Sequence, residues 1–524
     1  MRANLILICL LIAGCSTLPK NVVKTKTTAI YNTQNTSLGL YVNKLLNKNN
    51  NSQMYLLDEG LGAFFARKLL IDKAMSSIDV QYFIWRADLV GKLMFYALLC
   101  SADKGVRVRI LLDDISIDNQ VLKIITALDQ HKNISVSVYN PFSSRLFRFK
   151  DFIFDWHRLN RRMHNKSFTV DAQVTIVGGR NIGNGYFSAN ENSNFSDIDV
   201  MAIGPIVKDI ETQFDAYWNS KVVVPISHFK YNQATVEDLN ILRLQLNKFY
   251  KSQQISKYVQ DIKSSTAYQY WNNIKKVKTD NMLFTGKAKA IYDDPGKGLS
   301  AKQINVTYLK SLLEPHIHQI KSSLEIISPY FVPGLEGTKQ LISLVKKGIK
   351  VRVITNSLSS TDGVMAQSGY AKRRLELLKG GIEIYELKSN AKSKYNMALK
   401  MSGKSKKALH AKVYIFDRKE VFIGSFNFDL RSANINSEVG VIYQIPNMAY
   451  QIAHKRFDID IDKFTYQVKL QKIKTKRRNK LSHANVITWI DKKNKKYYTT
   501  NPDTSIWRKL LESFFEILPI ESQL

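Results

Sequence analysis

The string K-G-V-R-V-R-I beginning at Lys104 returns as K-G-I-K-V-R-V beginning at Lys347, each time in the same local setting. In both places a strand-like apolar run (78–84; 324–332) leads into a helical pattern (89–104; a helix running to Lys347). A glycine, Gly105 or Gly348, follows, and then a second strand (106–112; 349–354). A glycine there can take the left-handed conformation that ends a helix. A third such unit follows, with a helix over 372–379, Gly380-Gly381 and a strand over 382–385. Repetition at this scale predicts two similar halves rather than one large core. The expected fold is α/β: two similar lobes, each with a central mixed sheet flanked by helices, related by a pseudo-twofold axis.

A chain of 524 residues has length for two cores. With 44% hydrophobic and 23% charged residues, 24 Gly and 11 Pro, it is neither wholly disordered nor collagen-like. Lys and Arg total 77 against 44 Asp and Glu, a net charge of +33. That excess points to a polyanion, either nucleic acid or a bilayer carrying anionic lipid.

The N-terminus favours the bilayer. Arg2, an apolar run over 5–12 and the small residues Ala13 and Gly14 before Cys15 have the form of a secretory signal, too short to span a hydrocarbon core. Residues 11–15 (L-I-A-G-C) resemble a bacterial lipobox, which implies cleavage before Cys15 and its lipidation. Of three cysteines, Cys9 then leaves with the signal and Cys15 carries lipid, so Cys100 has no internal disulfide partner. Ser16 after Cys15 points to the outer rather than the inner membrane. The expected location is an exported, membrane-anchored lipoprotein facing the periplasm.

The expected organisation is a signal peptide at 1–14, a flexible Thr-, Lys- and Asn-rich tether at 15–53, a first lobe at 54–229 and a helical connector at 230–285. A second lobe at 286–460 and a basic segment with a C-terminal amphipathic helix at 461–524 complete it. In the connector, Val236, Leu239, Leu242, Leu246 and Phe249 form a helical stripe after Thr235, an N-cap with Asp238 three residues on. In the C-terminal helix, Ile506, Trp507, Leu510, Leu511, Phe514 and Phe515 make an apolar face, expected to dock on the core. Basic stretches at 145–162 and 472–480 read as solvated surface. The first also carries Phe142, Phe147, Phe152, Phe154 and Trp156, which suit a membrane-contacting flap.

Each half contains one His-x-Lys-x4-Asp string: His164, Lys166 and Asp171, then His410, Lys412 and Asp417. Both continue at equal offsets as Gly178-Gly179-Arg180-Asn181 and Gly424-Ser425-Phe426-Asn427. Two copies with matching tails are not accidental. In a strand, residues i and i+2 share a face, so each His and its Lys project together. The two Asp are read as turn residues, and they remain candidates for the site as members of the strings. If the halves pack about a pseudo-twofold axis, two His, two Lys and two Asn meet in one pocket. One imidazole can attack phosphorus while the other protonates the leaving alcohol, with Lys and Asn neutralising the non-bridging oxygens. Lysines supply the cations, so this chemistry calls for no metal or other cofactor. The remaining histidines (His131, His157, His228, His316, His318, His454, His483) are read as structural.

These paired strings resemble the HKD motifs of the phospholipase D superfamily, over about residues 54–450. Further strings at 328–334 (S-P-Y-F-V-P-G), 355–358 (T-N-S-L), Arg431-Ser432, 436–438 (N-S-E) and 518–521 (L-P-I-E) resemble the cardiolipin synthase branch, especially its C-type members. The resemblance implies two phospholipase D-like lobes and a covalent phosphatidyl-histidine intermediate, with His164 as nucleophile and His410 as acid and base; pseudo-symmetry leaves the reverse open. It implies substrate contacts at Asn181, Asn427 and Ser425, and an acidic residue orienting each His: Glu438 for His410, and Asp197, with Asp199 as rival, for His164. Gly179 stands where the motif has Ser, present as Ser425, so the half-sites need not contribute equally. The implied activity is phosphatidyl transfer forming cardiolipin from phosphatidylglycerol and a second phospholipid, with phosphatidylethanolamine a candidate, by a single chain on an anionic membrane surface. The alternatives are a phospholipase D releasing phosphatidic acid, an HKD nuclease, against which the lipobox speaks, and a non-catalytic surface lipoprotein.

Overall fold

The computed structural model describes residues 24–46, 51–143, 148–191, 193–229, 233–272, 283–298, 307–389, 406–477 and 480–524, with Leu18 and Val22. The signal segment 1–14 and Cys15 lie outside the described residues. The first half contributes β1 (Ser52–Leu57), β2 (Ser77–Tyr82), β3 (Arg107–Asp113), β4 (Ile134–Tyr139), β5 (Ser167–Val170), β6 (Val174–Gly178), β7 (Ser193–Ser196), β8 (Asp199–Ile203) and β9 (Val223–Pro225). The second contributes β10 (Leu283–Tyr292), β11 (Ser323–Ile327), β12 (Phe331–Val332), β13 (Lys350–Asn356), β14 (Glu383–Leu387), β15 (Lys406–Leu409), β16 (Val413–Phe416), β17 (Glu420–Gly424), β18 (Phe428–Asp429) and β19 (Val439–Gln444). After them come β20 (Thr465–Arg477), β21 (Lys480–Asp491) and β22 (Lys496–Tyr498).

Pairing gives the two halves one plan. In the first lobe β4, β3 and β2 run parallel, and β5, β6, β8 and β1 follow antiparallel. In the second, β14, β13 and β11 run parallel, and β16, β17, β19 and β10 follow antiparallel. Strands β1 and β10 pair antiparallel, Met54 opposite Phe284, so the two sheets join edge to edge about a pseudo-twofold axis. The parallel strands are almost wholly buried, and the charges they carry pair internally, as Arg109 does with Asp79 (2.6 Å). One apolar cluster crosses the join, with Val177, Ile198 and Val200 against Leu409, Val413 and Val439, so the lobes share a core. Gly105 (φ 96°) and Gly348 (φ 84°) close the helices before β3 and β13, the left-handed role their positions predict.

Three sequence expectations change. The tether begins folding well before residue 54. Lys24 Nζ donates to the carbonyls of Trp218, Ser220 and Val223, and the helix Ser37–Leu45 buries Leu38 and Val42 on the first lobe. Scattered apolar residues suffice there because they cover an existing core. The connector carries the expected Thr235–Asp238 capping box on the helix Val236–Gln253. That helix packs Leu239, Leu242 and Leu246 into the first lobe's core, so it is a layer of that lobe. The basic C-terminal segment forms a hairpin, β20 and β21, that extends the second sheet through β14.

Candidate active site

Identical devices aim the two imidazoles. His164 and Lys166 lie in extended chain just before β5, and His410 and Lys412 just before β16, rather than within the strands as the alternation suggested. The carboxylate of Asp113, at the end of β3, accepts from Met163 N (2.7 Å). At the equivalent end of β13, Asn356 accepts from Leu409 N (2.8 Å) and donates to Leu409 O (3.0 Å). Each clamp grips the residue before a histidine. The opposite lobe grips the histidine itself, since His164 N donates to Ser437 O and His410 N to Ser196 O, both at 2.8 Å. Strands β7 and β15 pair in parallel across the lobes, and Met163 bridges Ser437 in the same sense.

The exchange extends to the carboxylates. His164 Nδ1 lies 2.9 Å from Glu438 Oε2, and His410 Nδ1 lies 2.6 Å from Asp197 Oδ2. The expected pairing was the reverse, Glu438 with His410 and Asp197 with His164. It is corrected because the segment carrying each carboxylate runs beside the other lobe's motif, so proximity in sequence misleads. Asp199 is committed elsewhere, to Arg67 (2.7 Å) and Arg180 (3.3 Å).

Asp171 and Asp417 take no part in the pocket. Each sits at the far end of its strand from the histidine, in a turn with two consecutive left-handed residues, Asp171-Ala172 and Asp417-Arg418. Asp171 accepts from the main chain of Met75, Ser76 and Ser77, and Asp417 from that of Lys321, Ser322 and Ser323. Their inclusion among catalytic residues is therefore corrected: they fix the β5–β6 and β16–β17 hairpins.

The pocket is almost dry, with His164 7% and His410 6% exposed. Burial, then the charges of Lys166, Lys412 and His410, holds the His164 imidazolium well below its ordinary range. His410 is lowered by burial and Lys412, against the pull of Asp197. Each imidazole thus feels both lysines, as one shared enclosure requires. Lys166 is driven well below its usual value by burial, and Lys412 to about 8. Each lysine donates to its own histidine's carbonyl, Lys412 to His410 O at 2.5 Å and Lys166 to His164 O.

The carboxylates differ. Burial raises Asp197, but His410, Lys412 and Arg180 outweigh it and hold it at about 2. Burial lifts Glu438 to about 7 despite Lys166 and the hydroxyls of Ser425 and Ser432, which both donate to it. Ser425 also accepts from Val439 N, so it braces Glu438. Gly179 occupies the matching position beside Asp197, where a Cβ would stand 2.2 Å from Oδ1. The asparagines also diverge. Asn181 accepts from Ile84 N and donates to the Tyr186 hydroxyl, whereas the buried Oδ1 of Asn427 has no partner among the described residues.

Several supports lay outside the repeated strings. Phe83 stands edge-on to His164, and Tyr186 and Phe195 flank His410, walls that only folding assembles. Asp293 accepts from Glu438 N and pairs with Lys297, which donates to Ser432 O. The only signal for that brace was a charged D-D-P-G-K stretch at 293–297.

A family model described as "Cardiolipin synthase, PLD-like domain" matches residues 68–218 and 313–460, one match in each lobe. This chain belongs to that family. It is 39% identical over 477 residues to "Cardiolipin synthase C" of Escherichia coli (strain K12), covering 89% of this chain and 95% of the relative. To "Cardiolipin synthase B" of the same organism it is 24% identical over 394 residues, 75% of this chain and 76% of that one. The crystal structure of phosphatidylserine synthase from Haemophilus influenzae Rd KW20 superposes with a TM-score of 0.53 at 14% identity, over 84% of this chain and 92% of that one, a likeness of fold. Within the cardiolipin synthase family frame, the two matched segments are the lobes that supply the two crossed pairs.

Proposed function

We propose that this chain is a phosphatidyltransferase forming cardiolipin through a covalent phosphatidyl-histidine. The observation that carries the reading is the pair of imidazoles, one from each lobe, each held at Nδ1 by a carboxylate from the other lobe. A carboxylate at Nδ1 leaves Nε2 to act. His164 Nε2 attacks phosphorus; the P–N bond forms as the bond to the headgroup oxygen breaks, and His410 Nε2 gives that oxygen its proton. Glycerol leaves if phosphatidylglycerol is the donor, ethanolamine if phosphatidylethanolamine is. His410 then takes the proton of a phosphatidylglycerol hydroxyl, whose oxygen displaces His164 and yields cardiolipin. The lysines, costly to charge in a dry pocket, gain their counter-charge when the phosphodiester enters. The unpaired Oδ1 of Asn427 can accept from a headgroup hydroxyl or ammonium.

The test uses purified protein and phosphatidylglycerol, with and without phosphatidylethanolamine, the products identified by mass spectrometry. Cardiolipin is expected; phosphatidic acid alone would make the chain a hydrolase, and no turnover would remove the catalytic reading. To assign the nucleophile, a phosphatidyl ester of p-nitrophenol, whose leaving group needs no proton, is offered to His410→Ala. The phosphatidyl group is expected on His164, and its attachment to His410 in His164→Ala instead would reverse the roles.

We also propose that one chain suffices, because both crossed pairs come from a single chain; a mixture of His164→Ala and His410→Ala should stay inactive. Finally, the lipobox supports acylation of Cys15 and an outer-membrane position facing the periplasm. Palmitate labelling lost in Cys15→Ser, with fractionation, tests this.

A further inference from the structure

The helix Ile506–Ile517 is docked by its polar side. Arg508 donates to the carbonyls of Leu358 (3.0 Å) and Thr361 (2.7 Å), and Glu512 is buried, accepting from Asn501 and lying 3.7 Å from Arg374. Just beyond the helix, Glu521 forms a two-pronged pair with Arg373. The apolar stripe therefore faces outward: Trp507 is 77% and Ile517 83% exposed, with Ile506, Leu510 and Phe514 exposed between them. This reverses the expectation that the apolar face docks on the core. A surface helix turns its stripe inward unless something apolar covers it.

A second bare patch is linked to the segment that follows this helix. On the helices Arg148–Phe154 and Trp156–Leu159, Phe149, Ile153, Phe154 and Trp156 are exposed, while Phe142 is buried and Phe152 packs between it and Trp156. Phe147 lies outside the described residues. Arg431 binds both Asn160, which follows this patch, and the carbonyl of Leu524, which follows the other; Asn160 also donates to Gln523 (2.8 Å). Both patches are tied to segments that lead into the pocket. The Arg508 anchor holds the loop next to Asn356, the clamp on Leu409, and Asn160 lies four residues before His164.

We infer that these two patches, on three helices, are the face with which the chain rests on an anionic phospholipid bilayer, the pocket opening beside it. Charge complementarity selects this occupant: the chain carries +33, and the segment 148–161 has Arg148, Lys150, Arg158 and Arg161 against Asp151 and Asp155, Arg162 being buried on Asp113. A second copy would bring the same positive charge. Trp507 and Trp156 are rings suited to the level of the headgroups. The choice of lipid as partner rests on the proposed transferase reading; the bare stripe does not.

The test is co-sedimentation of full-length Cys15→Ser/His164→Ala protein, which has no acyl chain and no turnover, with phosphatidylglycerol–phosphatidylethanolamine vesicles. Adding Trp507→Ser, Leu510→Ser and Phe514→Ser should weaken binding at least tenfold, and Phe149→Ser with Phe154→Ser several-fold, with the melting temperature unchanged. Unchanged binding in both sets overturns the inference, as does sedimentation showing that the same substitutions dissolve a dimer. Separately, in a His164-intact background, dispersed short-chain phosphatidylglycerol should be turned over at the parent rate. If the parent itself fails on that substrate, the transferase reading fails while the vesicle result stands.

Discussion

Gly179 and Asp197 approach so closely that a Cβ on residue 179 would lie 2.2 Å from the carboxylate that holds His410. At the matching place in the other half-site, the Ser425 hydroxyl donates to Glu438. The glycine thus marks one of the differences between the two half-sites. Asp197 meets His410 without a hydroxyl donor from residue 179, and Glu438 meets His164 with two serine donors. Gly179→Ser should push Asp197 off His410 and lower kcat on the order of 10²–10⁴-fold, the range of a lost acid–base group. Ser425→Gly, which opens space and removes the hydroxyl's two hydrogen bonds, to Glu438 and from Val439 N, should cost far less. Steady-state turnover with a thermal melt on each variant checks both.

Glu438 gives activity and stability opposite pH dependences. The carboxylate must be ionised to accept the His164 Nδ1 proton, so kcat/KM should fall as pH drops through about 7. For stability, an acid raised by burial from 4.5 to about 7 keeps its proton in the fold where the unfolded chain has lost it. Its contribution is full below about 4.5 and is lost as pH rises through about 7. Glu438→Gln should abolish the acid limb of the rate profile and this part of the stability slope, leaving turnover lower by on the order of 10²–10⁴-fold. Rate profiles and denaturant melts from pH 5 to 8 measure the two.

Asp171 should matter for folding and hardly for chemistry. Its buried carboxylate accepts from three consecutive main-chain N–H groups, and hydrogen bonds to charged groups contribute about 1.5 kcal/mol each or more, so Asp171→Ala should cost about 3–5 kcal/mol. The folded fraction should turn over within about twofold of the parent, against the on the order of 10²-fold or greater loss expected of an acid–base residue. A rate collapse in fully folded protein would return Asp171 to the chemistry.

The repeated strings made the two lobes, the strand–helix–strand order and the histidine–lysine pairs legible from sequence, since local spacing and strand alternation encode them. The partner of each imidazole was not legible. Glu438 lies near His410 in the chain and across the pocket from it in space, and only the cross-lobe contacts of His164 with Ser437 and of His410 with Ser196 reveal the exchange. The Asp113 and Asn356 clamps escaped notice for a related reason. Asp113 follows a strand that reads as ordinary core, Asn356 stands in the T-N-S-L string with no sign of its role, and different residue types do the same work. The C-terminal helix misled because its pattern identifies an apolar face without saying which way it turns.

Anion binding should draw protons into the pocket. Lys412, held at about 8 mainly by burial, is partly neutral above that pH, and a bound phosphate or phosphodiester would favour its charged form. Calorimetric titration with inorganic phosphate at pH 8.5, in two buffers of different ionisation enthalpy, should register net proton uptake. In Lys412→Met the uptake should shrink and affinity fall at least tenfold, about 1.4 kcal/mol. Lys166, also driven well below its usual value by burial, should add to the uptake, so Lys166→Met should reduce it as well. Identical uptake in the parent and both variants would mean that the lysines do not carry the counter-charge, and the phosphate oxygens would have to be met by the Asn427 amide and the imidazoles alone.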